Sequence, residues 1–299
     1  MSDGWPALPV GEWEQTRNTL HMWTQVVGKA ILSLAPMINH WWGVTFRVSA
    51  RGLRSTLLPY PDGGVQFEFD FHRNVLTVDT TVGGRAGIAL EPRTVADFYS
   101  EFRARLRELG VEISIVARPT EVVEAIPFAD DDVHASYDAA CARAFWLQLV
   151  NADRVLTEFR SRFIGKCSPV HFFWGGFDLA CTRFSGRTAP PHRGGVPNCP
   201  DWVQVEAYSH EVSSAGFWPG AGGEGAFYAY AYPEPGGFKN ATVEPAAASF
   251  DGSFGEFLLP YAAVRTSADP DATLLAFLQS SYEAAADLAG WDRKALERA

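Results

Sequence analysis

Two arginine-serine motifs have the residue types and the spacing to bind an anion. They are RVSAR at residues 47–51 and RFSGR at residues 183–187. In a strand the two arginines and the serine of each motif share one face, because side chains alternate with a period of two. Two guanidinium groups and a hydroxyl suit a carboxylate or a phosphate. The alternative is that these arginines pair with the protein's own carboxylates, since ordinary ion pairs of this kind are common.

Histidines are the second set of candidates. His210 and Glu211 are neighbours, and His40 and His171 fall in predicted turns or strands, so together they would form a divalent transition-metal site. Adjacent side chains on a strand point to opposite faces, so His210 and Glu211 ligate together only from irregular backbone. The alternatives are hydrogen bonds in a core, or a single histidine acting as general acid or base.

The arginine motifs belong to a longer repetition in the chain. From Gly28, which precedes Lys29, to Arg47 is 19 positions, and from Gly165, which precedes Lys166, to Arg183 is 18 positions. Internal repetition of this kind predicts two structurally similar halves. Equivalent residues of such halves approach one another at their junction, where clefts tend to form. We therefore expect the two basic motifs to meet in a pocket between the repeats.

Periodic apolar patterns predict the elements that carry these motifs. The first helix ends at Gly28, and strands follow at residues 29–35 and 43–50 around an aromatic turn. The second half has a helix over residues 138–164, strands near 167–173 and 177–184, and a last helix that begins at Asp269-Pro270. Each half is thus predicted to contain a helix, antiparallel strands and a second helix.

The fold class that follows is α+β, with two pseudo-repeats packed as one compact unit. Residues 1–124 form the first repeat, residues 125–137 a solvated acidic linker, and residues 138–299 the second repeat. The second repeat carries a long inserted loop at residues 188–225, which is rich in Pro and Gly but also in aromatic and imidazole side chains. Long loops of this composition are usually functional, so we expect it to fold over a ligand.

Composition limits the partners. The net charge of −10 opposes binding to a phosphate backbone, so nucleic acid is not expected as a partner. The four cysteines show no disulfide-like spacing and no leader precedes Trp5, which favours a cytoplasmic protein. The longest apolar run is too short to cross a bilayer. Ten Trp, nine Tyr and 21 Phe suit a large core and an aromatic pocket.

Four segments carry a resemblance to a known family. They are residues 21–29 (HMWTQVVGK), 39–42 (NHWW), 162–175 (RFIGKCSPVHFFWG) and 207–220 (AYSHEVSSAGFWPG). In these segments the chain resembles a bacterial family described only as a domain of unknown function, over nearly its whole length. The resemblance implies a cytoplasmic bacterial protein and supplies no activity or catalytic residues.

From the residues we predict an enzyme that acts on a small anionic metabolite in an aromatic pocket between the repeats. One alternative is a metal-dependent hydrolase or oxygenase, and another is a non-catalytic protein that binds a small molecule. The predicted catalytic residues are His171 and His210, and the predicted metal ligands are His40, His171, His210 and Glu211. The predicted substrate-binding residues are Lys29, Trp41, Trp42, Arg47, Arg51, Lys166, Arg183, Arg187, Tyr208 and Trp218.

Overall fold

The computed structural model describes residues 4–298, which fold as a mixed α+β protein with two six-stranded antiparallel sheets. The strands of the first sheet are β1 Arg47–Val48, β2 Gly52–Arg54, β3 Leu58–Tyr60, β4 Gly63–Asp70, β5 Val75–Thr80 and β6 Arg85–Ala89. Those of the second are β7 His171–Phe173, β8 Asp178–Thr188, β9 His210–Trp218, β10 Ala226–Tyr232, β11 Ser249–Asp251 and β12 Glu256–Pro260. The α-helices are α1 Val10–Leu34, α2 Val95–Glu108, α3 Ala139–Ser161, α4 Asp201–Ala207, α5 Tyr261–Arg265, α6 Pro270–Leu288 and α7 Arg293–Leu296.

The two sheets meet through their edge strands. The first sheet runs in the order β1-β2-β4-β5-β6, with β3 paired to β4, and the second runs β11-β12-β10-β9-β8-β7. Phe46, next to β1, and Phe172, in β7, exchange two backbone hydrogen bonds of 3.0 and 2.8 Å. This pair of bonds joins the edge of one sheet to the edge of the other.

Aromatic side chains fill the core between the helices and the sheets. The Trp23 ring of α1 stacks on Phe98 of α2, with ring centroids 4.9 Å apart. Phe145 of α3 lies 5.2 Å from Trp13 of α1 and 5.2 Å from Phe177 of the β7–β8 turn. The expected α+β class with a large aromatic core is therefore confirmed.

The end predicted for the first helix is wrong. Residues 29–34, predicted to begin a strand, continue α1, and Ala30 and Ile31 are fully buried there. Gly28 lies inside the helix because the indole ring of Trp174 occupies the place of a side chain, with Cε2 2.5 Å from an ideal Cβ position. The glycine permits a close contact and does not end the helix.

Two other segments also differ from expectation. Residues 125–137, predicted as a solvated linker, pack on the start of α2. Asp131 is fully buried, and its carboxylate accepts a hydrogen bond from His134 Nδ1 (2.8 Å). Its backbone carbonyl accepts a hydrogen bond from the N–H of Ala96 in α2. Residues 188–225, predicted as a loop, contain α4 and β9. Since β9 pairs with both β8 and β10, it is an inner strand, and the residues outside the sheet are 189–209 and the turn at 219–225.

The contact between Gly28 and Trp174 leads to a prediction. Gly28→Ala forces the Trp174 ring to move in a packed core, so we expect it to lower the free energy of unfolding by about 1–3 kcal/mol. Gly11→Ala is the matched control, because nothing lies within 4 Å of its ideal Cβ in the same helix. That change raises helix propensity and should be neutral or stabilising by up to about 1 kcal/mol. Urea denaturation of both variants measures the difference, and equal stabilities contradict the prediction.

Candidate functional site

A line of polar side chains on α1 holds two distant parts of the chain. His21, Gln25 and Lys29 are four residues apart, so they share one face of the helix. His21 Nε2 lies 2.9 Å from the carbonyl oxygen of Gly175. Gln25 donates to the carbonyl of Thr120 (2.6 Å) and accepts from its N–H (3.0 Å), and Lys29 Nζ donates to Thr120 Oγ1 (2.5 Å). The helix thereby fixes the β7–β8 turn and the strip around residue 120 beside each other.

A second strip covers one face of the second sheet. We call residues 189–209 the covering segment. It is tied to the strip at residue 120, because Glu121 N donates to the Pro197 carbonyl (2.8 Å) and Asn198 Nδ2 donates to the Val122 carbonyl (2.6 Å). The covering segment and the 120 strip therefore form one wall over the strands β8–β10.

Two carboxyl groups lie close together under this wall. Asp178 Oδ1 is 2.9 Å and Glu121 Oε2 is 3.7 Å from the point where a Cβ of Gly176 would stand. A Cβ at Gly175 would also lie 2.8 Å from Glu121 Cδ, so the two glycines leave the room that the carboxyl groups use. Glu121 has a left-handed backbone (φ 65°), which is uncommon for a residue other than glycine. Glu121 itself is exposed to solvent and Asp178 beside it is half-buried, and we call the region around these two groups under the wall the cleft.

In the cleft, the pKa values of Glu121 and Asp178 are both raised towards neutral pH. Burial and then the negative charge of Asp178 raise the pKa of Glu121 to about 7, against the opposing charge of Lys29. Burial raises the pKa of Asp178 to about 6, while a hydrogen bond from Tyr228 opposes the rise. Burial, followed by Asp178 and Asp251, raises the pKa of Glu256 to about 7. Groups with such shifts, gathered in a cleft, are candidates for a functional site.

Tyrosines of β10 line the floor of the cleft. Tyr228 and Tyr230 alternate with alanines, so both point to the covered face of the sheet. The Tyr228 hydroxyl donates to Asp178 Oδ2 (2.5 Å), and the Tyr230 and Tyr208 hydroxyls are hydrogen-bonded at 2.8 Å. Burial and the charge of Asp178 raise the pKa of Tyr228, so its hydroxyl keeps the proton that it donates. Tyr208 belongs to the covering segment, which this bond attaches to the sheet.

The four predicted anion-binding arginines are engaged inside the protein. Arg47 Nη1 donates to the Val170 carbonyl (2.7 Å). Arg183 is fully buried, bonds to the Phe159 carbonyl and stacks over that residue's ring at 3.5 Å.

The second arginine of each motif binds a carboxylate together with the motif's serine. Arg51 Nη2 and Ser49 Oγ both bond to Glu68, at 2.9 and 2.6 Å. Arg187 and Ser185 both bond to Glu211. The alternative of pairing with the protein's own carboxylates therefore describes Arg51 and Arg187, and the motifs do not form a joint anion pocket.

The predicted imidazole cluster does not assemble. Within residues 4–298 no group of three or more His, Cys, Asp or Glu side chains is placed to hold a metal ion. His40 Nδ1 is bonded to the Ala207 carbonyl (2.8 Å), and His210 lies exposed at the start of β9. His171 is fully buried, and burial keeps its pKa well below the usual value. The Glu211 carboxylate accepts hydrogen bonds from Arg187.

The remaining predicted residues divide between the cleft and other places. Lys29 and Tyr208 lie beside the carboxyl pair and the tyrosines of β10, and their predicted role in substrate binding stays a prediction. Trp41 packs on Trp202 of α4, with ring centroids 5.3 Å apart. The other three lie elsewhere: Trp42 against Phe184, Trp218 against Phe254, and Lys166 exposed before β7.

Sequence reasoning missed the residues that form the centre of the cleft. Glu121 belongs to no recognisable motif, and Asp178 looks like a residue of a glycine turn. One available signal was the alternation Tyr228, Tyr230, Tyr232, which predicts a strand with three tyrosines on one face. Another was the four-residue spacing of His21, Gln25 and Lys29 in the largely apolar stretch of residues 20–31.

The chain is thus an α+β protein with two antiparallel sheets and a group of carboxyl and tyrosine side chains under the covering segment. The chain belongs to DUF5996, a family of unknown function, which matches residues 5–298. The resemblance inferred from the sequence is therefore confirmed. The comparisons with curated proteins and with solved structures found no match.

One absence concerns the membrane. Of the helices formed by residues 4–298, none combines the length and the apolar character that crossing a bilayer requires. The cytoplasmic location expected from the cysteines stays a prediction.

The carboxyl group of Asp178 leads to a prediction about pH. Its pKa is raised from 3.8 to about 6 on folding, so between these values the folded state keeps a proton that the unfolded state has lost. The stabilisation is complete below the lower value and is lost as the pH rises through the higher one. With allowance for partial solvent screening, the loss is about 2 kcal/mol.

Asp178→Asn keeps an acceptor for Tyr228 and removes the titration, so its free energy of unfolding should lack this loss. Urea denaturation of the wild type and the variant at about pH 4 and about pH 8 measures it. Asp62→Asn, at an exposed position outside the cleft, is the control. A wild type that gains stability relative to Asp178→Asn as the pH rises contradicts the assignment.

Proposed function

We propose that the protein is an enzyme that acts on a small polar metabolite in the cleft between its two halves, with Glu121 as general acid and base. The observation that carries this proposal is the pair of neighbouring carboxyl groups at Gly175-Gly176, one of them open to solvent. A group with a pKa of about 7 is present in both protonation states at neutral pH. Such a group can both accept and return a proton during a reaction.

The two charged neighbours of Glu121 have opposite effects on its pKa. Asp178 lies beneath it, held by Tyr228, and its negative charge makes the loss of the Glu121 proton less favourable. Lys29 acts in the opposite direction and favours the carboxylate. The pKa of Glu121 therefore depends on the balance between the negative charge of Asp178 and the positive charge of Lys29. Both side chains are held in place by hydrogen bonds. Asp178 and Lys29 are positioning residues in this proposal.

The cleft favours a neutral or positively charged substrate over the anionic one predicted from the arginines. It contains three carboxyl groups, those of Glu121, Asp178 and Glu256, against the single ammonium group of Lys29. The tyrosine hydroxyls and rings suit a molecule with hydroxyl or amino groups on a small carbon framework. Such groups also provide the protons that a carboxyl base would move.

We also infer that the two halves are pseudo-repeats, as expected from the repeated motifs. Each half has a long helix, a six-stranded antiparallel sheet and a further helix of at least three turns, in that order along the chain. In each half the serine and the last arginine of the arginine motif bind one carboxylate, Glu68 or Glu211. The same types of side-chain bond at both motifs support a duplicated unit.

A turnover experiment tests the proposed activity. The purified protein is incubated with a neutral extract of bacterial metabolites, and the mixture is compared over time by mass spectrometry. We expect at least one small polar compound to be consumed by the wild type, and consumed at least about 100-fold more slowly by Glu121→Gln, because general acid–base catalysis contributes about that factor or more.

Glu124→Gln is the matched control, since Glu124 is exposed close by in the chain but outside the carboxyl pair. It should behave as the wild type. A compound that stabilises the protein against heat but is not consumed identifies a binding protein instead of an enzyme. Equal turnover by wild type and Glu121→Gln removes Glu121 from the mechanism.

A further inference from the structure

A separate pocket lies at the other end of the strands β9 and β10. Its volume is about 250 Å³, and it is bounded by the start of β9, the end of β10 and the C-terminal turn of α6. Val212, Ala231, Pro233, Leu288 and the ring of Trp291 contribute apolar side chains to its walls. None of the cleft's carboxyl groups lines it, so it is a second site.

Glu211 is the one charged side chain among the described residues that line this pocket. All of the hydrogen bonds that reach its carboxylate go to Oε2: from Ser185 Oγ at 2.9 Å, and from Arg187 Nε and Nη2 at 2.9 and 2.7 Å. Within residues 4–298, Oε1 accepts none. The three hydrogen bonds to Oε2 therefore fix the orientation of the carboxylate, while Oε1 can still accept a hydrogen bond from a ligand.

Glu68, the carboxylate bound by the first arginine motif, differs from Glu211 in how its two oxygens are used. Glu68 receives Ser49 Oγ on Oε1 and Arg51 Nη2 on Oε2, so both of its oxygens are used. Glu68 does not line this pocket. Glu211 has the same types of partner but gathers them on one oxygen.

The end of α6 also borders the pocket. Ala285, Leu288 and Ala289 line it, and they belong to the last turn and the C-cap of this helix of 19 residues. The C-terminal end of a helix carries a partial negative charge, which favours a cation. Arg187 bonds to the carbonyls of Ala289 and Gly290 from outside the lining, and so locks the helix end to Glu211.

We propose that this pocket binds a small primary amine with an apolar body. The ammonium group donates to Glu211 Oε1 near the end of α6, and the apolar body packs on Val212, Pro233, Leu288 and the indole ring of Trp291. A charged donor to a carboxylate forms a stronger hydrogen bond than a neutral donor does. The pocket therefore selects an amine over the alcohol of the same shape.

Benzylamine is the probe, with benzyl alcohol as its uncharged counterpart, and isothermal titration at neutral pH measures both. We expect benzylamine to bind the wild type at least about tenfold more tightly than benzyl alcohol, which is the factor that a modest difference in hydrogen-bond strength gives. Glu211→Gln should remove this preference. Ala231→Leu fills the pocket without touching the carboxylate, and should abolish binding of both compounds.

Glu68→Gln is the matched control, because it changes the equivalent carboxylate away from the pocket, and it should bind benzylamine as the wild type does. The proposal is overturned if the wild type does not bind benzylamine, if both compounds bind equally, or if Ala231→Leu leaves binding unchanged. Ala231→Leu keeps the test decisive should Glu211→Gln fail to fold. Neither variant alters the carboxyl pair of the cleft, so this result is independent of the proposed activity.

Discussion

The cleft depends on three hydrogen-bonding side chains on one buried face of a helix. His21, Gln25 and Lys29 lie in a part of α1 that is otherwise apolar, and a buried polar group is costly unless it is bonded. Their partners are the backbone of Gly175 and the backbone and hydroxyl of Thr120. Because these partners are specific, the helix fixes where the turn before Asp178 and the strip bearing Glu121 must lie. Burial lowers the pKa of His21 to about 4, so this contact is not charged at neutral pH.

The arginine motifs show how residue type alone can mislead about role. Arginines and a serine at alternating positions suit an external anion, but in a protein with 35 acidic and 25 basic side chains most of them find internal acceptors. Arg183 is the extreme case, since it lies against the rings of Phe159 and Tyr282 and is fully buried. Among residues 4–298 it forms no ion pair with a carboxylate, and burial lowers its pKa to about 10. The motif is a structural device that ties each sheet to its neighbouring segments.

Much of the fold could be predicted because helices and strands leave periodic patterns in the sequence. The helices α3 and α6 and the strands β7 and β8 lie close to where their patterns place them. The errors arose where a long-range contact decides the outcome: Trp174 makes Gly28 an interior helix position, and β9 is a strand because β8 and β10 lie on either side of it. Glu121 could not be found in this way. Its raised pKa comes from the surrounding protein and from Asp178, and neither is visible in the residues next to it in the sequence.

The bridge between Phe46 and Phe172 has a consequence for the behaviour of the protein at high concentration. β1 and β7 are edge strands, and an open edge is a template on which another chain can add a strand and start an aggregate. Here each edge lies against the other, so part of its free backbone groups is already used within the molecule. The two hydrogen bonds between Phe46 and Phe172 therefore also protect the edges of β1 and β7 from pairing with another chain. Separation of the two sheets at this point would expose both strand edges at once.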